Sequence, residues 1–176
     1  MSGAASTFNT AFGTFDLRRY PPRPREPLRA WCAADELLLE EVQRLGVPAN
    51  QLLVVNDEQG ALCTALQPLA LWTDSAMAAL ALAANLHRNQ RGEVDRIWST
   101  EPPPGDALLA VLRVPKQLPY LEYQLAHLAA ALPAGAKVLA AGMDKHLSPH
   151  TAGLLEHYIG PTERHRGRRK ARLFSA

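Results

Sequence analysis

Gln51-Leu52-Leu53-Val54-Val55-Asn56-Asp57-Glu58-Gln59-Gly60-Ala61-Leu62 joins a short apolar run to a polar turn and then to a helix-like segment. That is how the first strand of a doubly wound α/β domain meets its first helix. In such a fold a nucleotide cofactor rests on this turn. Glycines let the backbone approach it, and an acid or a helix N-terminus completes the site. Here the Gly-x-Gly-x-Gly spacing reads Asn56, Glu58, Gly60, so one glycine of three remains. Two side chains stand where a close backbone approach wants none. Asp57 and Glu58 add negative charge. The stretch has the shape of a cofactor site and little of its chemistry.

Around it the chain alternates strand-like and helix-like segments. Before it, Trp31, Ala34, Leu38, Val42 and Leu45 recur at three and four residues from Pro27 onward, which predicts one apolar helix face ending near Gly46 and Pro48. After it, a short helix at about 59–67 is stopped by Pro68, and Leu69–Thr73 is a second strand. Asp74 or Ser75 then caps a long helix over 76–89. Strands follow at 93–99 and 107–112, a helix at 118–132 and a strand at 137–141. Ser148-Pro149 opens a helix running to about Ile159. Two strand-like pieces, about 162–166 and 169–175, form a terminal antiparallel hairpin with Gly167 at their junction. Phe15–Tyr20 reads as a short strand, and residues 1–14 as a flexible tail with no signal-peptide pattern. Right-handed βα crossovers make the repeated part a mostly parallel sheet with helices on both faces, a single Rossmann-like domain over 15–176.

A chain of 176 residues suits one domain with a full core. No apolar run reaches membrane-spanning length without a charge or proline. Cys32 and Cys63 sit in apolar runs without CxxC spacing, as expected of free thiols in a reducing cytoplasm. His87, His127, His146, His150, His157 and His165 include no His-Glu-x-x-His and predict no metal site. Gly-x-Ser-x-Gly is absent, which leaves a hydrolase without support.

Charge is uneven. Arg164, Arg166, Arg168, Arg169, Lys170 and Arg172 lie within nine positions that contain no acid, and the rest of the chain is mildly acidic. A second basic segment holds Arg18, Arg19, Arg23, Arg25 and Arg29, offset by Asp16 and Glu26. Strand alternation predicts Arg164, Arg166 and Arg168 on one side of the terminal hairpin, with Lys170 and Arg172 continuing it. So many like charges on one face call for a counter-anion, and RNA phosphates supply one. A solvated edge hairpin is the plainer alternative, since basic side chains also discourage edge pairing.

A parallel sheet finished by a hairpin resembles the class I, S-adenosylmethionine-dependent methyltransferases. Within that class, four stretches are similar to the N-terminal domain of the bacterial ribosomal RNA guanine-N2 methyltransferases. The similarity is greatest to the methyltransferase G group, which acts on large-subunit RNA, with the methyltransferase C group, which acts on small-subunit RNA, as a relative. The stretches are Leu28-Arg29-Ala30-Trp31-Cys32-Ala33-Ala34-Asp35-Glu36-Leu37-Leu38, Val55-Asn56-Asp57-Glu58-Gln59-Gly60-Ala61-Leu62, Val114-Pro115-Lys116 and Lys170-Ala171-Arg172-Leu173-Phe174.

The resemblance implies a two-domain enzyme whose first, degenerate methyltransferase-like domain is this chain and whose second domain is catalytic. The family's catalytic half carries Asn-Pro-Pro-Phe after its fourth strand. The matching positions here read Arg113-Val114-Pro115-Lys116, so the amide and the aromatic are both gone. A guanine amine needs acceptors to orient it, and Arg113 and Lys116 offer only donors. No catalytic residue is therefore expected, and the cofactor set Asn56, Glu58, Gly60 and Asp74 is expected to be vestigial. Asp74 stands where the family's second strand ends in a ribose-binding acid. Thr73 takes that place in the neighbouring register, and capping explains Asp74 without a ligand. The implied cofactor of the whole enzyme is S-adenosylmethionine, with none for this domain. The implied partners are ribosomal RNA, through the terminal basic residues and Arg18 and Arg19, and the catalytic domain of the same protein, with no membrane. The alternatives are a stand-alone methyltransferase with an atypical motif and a purely structural or dimerisation domain.

Overall fold

A computed structural model describes residues 4–176. Two hairpin strands open it, β1 (Thr7–Thr10) and β2 (Gly13–Asp16). Then come α1 (Ala33–Leu45), β3 (Leu52–Val55), α2 (Ala61–Leu66), β4 (Ala70–Thr73), α3 (Ala76–Arg88) and β5 (Asp95–Trp98). The second half holds β6 (Leu109–Arg113), α4 (Leu118–Ala131), β7 (Lys137–Met143), α5 (Thr151–Tyr158), β8 (Glu163–Arg164) and β9 (Ala171–Ser175). Seven strands form one sheet in the order β5-β4-β3-β6-β7-β9-β8. The first five are mutually parallel, and β9 runs antiparallel between β7 and β8. This is the mostly parallel sheet with a C-terminal antiparallel hairpin that the βα alternation and the two terminal strand-like pieces predict.

The chain works outward from β3 to β5, then returns to lay β6 beside β3. Strand order therefore reverses between β3 and β6, and a crevice must open above their carboxyl ends. Both strands are buried and apolar up to Arg113 at the end of β6, because helices cover each face. On one face α1, α2, α3 and the N-terminal hairpin build a core around Leu38, Leu62, Leu82 and Leu86. On the other, α4 and α5 pack Leu121, Leu125, Leu128 and Leu155 on the sheet. The α4 leucines recur at four and three residues, the helical period that lines one face. Each fully buried leucine contributes about 1.5–3 kcal/mol of transfer free energy.

The structure differs from the sequence reading at several boundaries, and the strand read over Phe15–Tyr20 is the end of β2, which stops at Asp16. The predicted tail carries β1 and β2, whose pairing runs from Thr7↔Asp16 to Thr10↔Gly13. Phe8 and Phe15 are buried in the core, and Phe8 stacks on Trp31 at 4.7 Å between ring centroids. Burial of two aromatics offsets the ordering entropy that a Ser/Thr/Gly composition suggests the segment would keep. Met1–Gly3 lie outside the described residues. Helix α1 begins at Ala33 instead of Pro27, since Cys32 is extended and takes the N-cap place, with Asp35 accepting from the Cys32 N–H at 2.9 Å. Trp31 thus packs from a loop and not from the helix face. Helix α5 begins at Thr151, two residues after Pro149, with the Ser148 Oγ accepting from the His150 N–H. The last hairpin turns at Arg169-Lys170, both at positive φ, inside the Arg168↔Ala171 bridge; Gly167 lies before the turn. The Gly46 cap is as predicted, left-handed at φ 65°.

Candidate functional site

The carboxyl ends of β3, β4, β6 and β7 bring together the polar residues that the sequence scatters. After β3 come Asn56, Asp57 and Glu58; after β4, Asp74 and Ser75; at the end of β6, Arg113 and the loop to Lys116. After β7 comes a 3-10 turn, Asp144–His146. Two clefts open here and share Glu58, Gln59, Arg113 and Lys116. One, of about 420 Å³, lies towards β4 and is lined by Asn56, Glu58, Asp74, Met77, Pro115 and Tyr120 among others. The other, of about 380 Å³, lies towards β7 beneath Arg29, Trp31, Lys116, Lys145 and His146.

Between them the polar groups are tied to one another. The Asn56 amide donates to the Arg113 carbonyl at 3.0 Å and to Gln124 Oε1 at 2.8 Å. Gln124 Nε2 returns a bond to Asn56 Oδ1 at 2.9 Å, closing a reciprocal amide pair between the β3 turn and α4. Asn56 itself sits at φ 62°, a left-handed conformation that asparagine tolerates better than most residues. Arg113 donates from Nη1 to Asp35 Oδ1 at 2.6 Å, with both side chains largely buried. Burial pulls the guanidinium pKa down, and the Asp35 charge and then Cys32 outweigh it, so the pKa is raised and the cation persists. Asp57 is buried and accepts from the Cys63 N–H at 2.8 Å through Oδ2. Burial, then the Asp35 charge, pushes its pKa up to about 6. The same burial, followed by the Asp57 charge, pushes the Cys63 thiol well up, so Cys63 is an inert core residue.

These residues do not fit a methyl-donor cofactor. Gly60 is at φ 79°, and a Cβ placed there would meet the Leu82 backbone Cα at 2.8 Å. Its missing side chain thus serves the packing of α2 against α3. Asn56 has spent its amide inside the fold. Glu58 is exposed at the cleft, where its charge opposes a ligand carboxylate. Asp74 is exposed at the end of β4 and lines the cleft towards that strand. The cap of α3 is Ser75, whose hydroxyl accepts from the Ala78 N–H, so capping does not account for Asp74.

The basic residues singled out in the sequence separate into two sets. Arg168 pairs with Glu40 at 2.7 Å and Arg169 with Glu36 at 3.0 Å, both carboxylates on α1. Arg172 meets Asp144 at 3.4 Å, Arg18 meets Asp16 at 3.2 Å and Arg19 meets Glu26 at 4.0 Å. The expected single face of unbalanced charge is therefore not what forms. The hairpin turn sends Arg168 and Arg169 onto acids of α1, and the fold supplies its own counter-anions. Arg164, Arg166 and Lys170 are exposed and make no ion pair among the described residues.

Sequence reasoning missed Gln124, Lys145 and the role of Asp35. The Asn56–Gln124 pair spans 68 positions and left no local signal. Asp35 had one: it lies three residues after the helix N-cap, the spacing of a capping box. Among the described residues no three His, Cys, Asp or Glu side chains gather as a metal site, and no helix is long and apolar enough to cross a membrane.

The family model described as RLMG N-terminal domain matches residues 5–176. Ribosomal RNA large subunit methyltransferase G of Streptomyces griseus is 41% identical over 175 residues, covering 94% of this chain and 45% of the relative. The protein of the same name from Stutzerimonas stutzeri is 42% identical over 174 residues, covering 96% and 46%. The chain thus spans about half the length of the curated relatives it matches. Among solved structures, the T. thermophilus 16S rRNA N2 G1207 methyltransferase (RsmC) in complex with AdoMet and guanosine superposes with a TM-score of 0.64 at 17% identity, covering 96% of this chain and 43% of that one. Ribosomal protein L11 methylase from Lactobacillus delbrueckii subsp. bulgaricus gives 0.62 at 15% identity, covering 90% and 89%. At such identities the structural likeness shows the fold alone.

Proposed function

Because the chain belongs to the RLMG N-terminal domain family, we propose that it is the non-catalytic, RNA-holding half of a ribosomal RNA guanine-N2 methyltransferase. Its residues 7–176 act as one Rossmann-like unit that includes the N-terminal hairpin. S-adenosylmethionine would serve a second, catalytic domain of the same protein, against which this one also acts as a scaffold.

The observation that carries this reading is the state of Arg113. It stands where the family's catalytic half has an amide acceptor, and it is fixed on Asp35 at 2.6 Å. A guanidinium has no acceptor atom, so it cannot orient an amine for attack on a methyl sulfonium. The neighbouring Asn56 amide is likewise occupied by Gln124 and the Arg113 carbonyl. Cations without ion pairs among the described residues remain at the terminal hairpin. Exposed Arg164, Arg166 and Lys170 at the terminal hairpin can each neutralise a phosphate.

The test is fluorescence anisotropy of a labelled single-stranded oligoribonucleotide titrated with the 176-residue chain across a salt series. A binding constant that falls linearly on a log–log plot supports the reading. Absence of binding at low salt overturns its RNA half and leaves the scaffold role, which is read instead from whether the catalytic half of a relative folds without its N-terminal domain.

A further inference from the structure

The cleft towards β7 has a charge balance that the sequence hides. Arg29, Lys116, Lys145 and His146 are exposed at its rim and make no ion pair among the described residues. Three acids also reach it. Asp35 is neutralised by Arg113, and Asp57 is buried and turned onto the Cys63 N–H. Glu58 is the one exposed carboxylate of the three. Slight desolvation, then the Lys116 and Lys145 charges, lowers the His146 pKa. Arg29 lies over the Trp31 ring at 5.2 Å, and Leu28 beside it is 59% exposed, an apolar lip next to the cations.

The cleft is continuous with the terminal hairpin. The Asp144 N–H donates to the Lys170 carbonyl at 2.7 Å, and Asp144 Oδ1 accepts from Arg172 Nε. The turn that carries Lys145 and His146 is thereby seated on the hairpin tip that carries Lys170. Arg29, Lys116 and Lys145 line this cleft, and Lys170 lies on the hairpin tip against its 144–146 turn. Its volume, about 380 Å³, is within the range of small-ligand sites.

We propose that this cleft is a phosphate site for single-stranded RNA, with Lys116 and Lys145 as its phosphate ligands, and that the strand leaves over the 144–146 turn towards Lys170. The proposal rests on the RNA-holding reading and adds a location to it. The crevice of the degenerate fold then serves backbone recognition in place of base chemistry. Leu28 packs against a base, and Arg29 neutralises the next phosphate.

The same labelled oligoribonucleotide is titrated with the full chain, with Lys116→Ala/Lys145→Ala, and with a charge-matched control, Arg96→Ala/Lys137→Ala, whose sites are exposed and lie off this track. Circular dichroism checks that each variant is folded. Removing two phosphate ligands should lower the salt slope by about 1.4 and weaken binding at least ~10-fold at low salt, with the control near the parent chain. Excess guanosine monophosphate should compete poorly, because one phosphate cannot replace a strand; strong competition would overturn the RNA source in favour of a mononucleotide. If the Lys116/Lys145 variant binds like the parent, or no more weakly than the control, the location is wrong while the RNA reading stands. If the parent chain binds no RNA, both fail together.

Discussion

The Arg113 guanidinium donates to the Asp35 carboxylate at 2.6 Å, tying the end of β6 to the first turn of α1. Asp35 uses its other oxygen, Oδ2, on the Cys32 N–H, so one carboxylate serves an ion pair and a helix start. The Arg113 Nε is buried without a partner among the described residues, which makes the pair a costly way to fill this position.

Removing one member should therefore hurt more than removing both charges. Arg113→Met leaves Asp35 as a buried, uncompensated carboxylate and should cost about 3–5 kcal/mol in urea unfolding. Arg113→Met combined with Asp35→Asn keeps the cap acceptor and removes both charges, and should recover a large part of that loss. A double variant no more stable than Arg113→Met alone would show that the pair is not what holds the site.

Asp57 should make stability depend on acidity in an unusual direction. Its folded pKa, about 6, lies above its ordinary value of 3.8. The folded state then binds the proton more tightly than the unfolded chain. The Asp57 contribution is most favourable below pH 4, falls as pH rises through 6, and is level above that. At neutral pH the loss is up to about 3 kcal/mol. Asp57→Asn can still accept from the Cys63 N–H and carries no charge. Its stability relative to the parent chain should rise between about pH 4 and 7, measured by urea midpoints at each pH; a difference independent of pH would refute the assignment.

Gly60 is predicted to be structural. Gly60→Ala forces an L-residue to φ 79° and a methyl to 2.8 Å from the Leu82 Cα. Strain of about 1–3 kcal/mol is expected before any backbone shift. The melting temperature should fall while the affinity for RNA, measured on folded protein, stays unchanged. A stable variant with altered ligand binding would restore the glycine to a site.

The terminal basic residues should divide by their partners. Arg164→Ala/Arg166→Ala/Lys170→Ala removes exposed charges and should lower the RNA salt slope by about 2, about 0.7 for each phosphate left without its cation. Arg168→Ala/Arg169→Ala removes partners of Glu40 and Glu36, exposed pairs worth about 0–1 kcal/mol each. It should change affinity less and loosen the hairpin, seen as faster amide exchange at Ala171. Equal effects of the two variants would mean that the α1 carboxylates yield their arginines to RNA.

The sheet was legible because its signals are local. The mainly apolar β3, β4 and β6 runs, the Gly46 cap and the Pro68 stop each act within a few residues. The degenerate glycine spacing at Asn56, Glu58 and Gly60 was legible for the same reason. What the sequence hid depends on distant partners. Arg168 meets Glu40 across 128 positions and Arg113 meets Asp35 across 78, so arginines whose charge the fold balances looked unbalanced. The N-terminal hairpin was hidden because its Phe8 and Phe15 find their burial against Trp31, Arg91 and the core, far along the chain. Lys116 and Lys145 share a cleft because parallel strands β6 and β7 end side by side, a consequence of topology and not of spacing.

The most direct measurement is calorimetric titration of this chain with S-adenosylmethionine and S-adenosylhomocysteine. With the Asn56 amide held by Gln124 and Gly60 spent on Leu82, no heat of binding is expected at millimolar ligand. A saturable micromolar isotherm, lost on Asp74→Ala, would contradict the degenerate reading and make the β4-side cleft a working cofactor site.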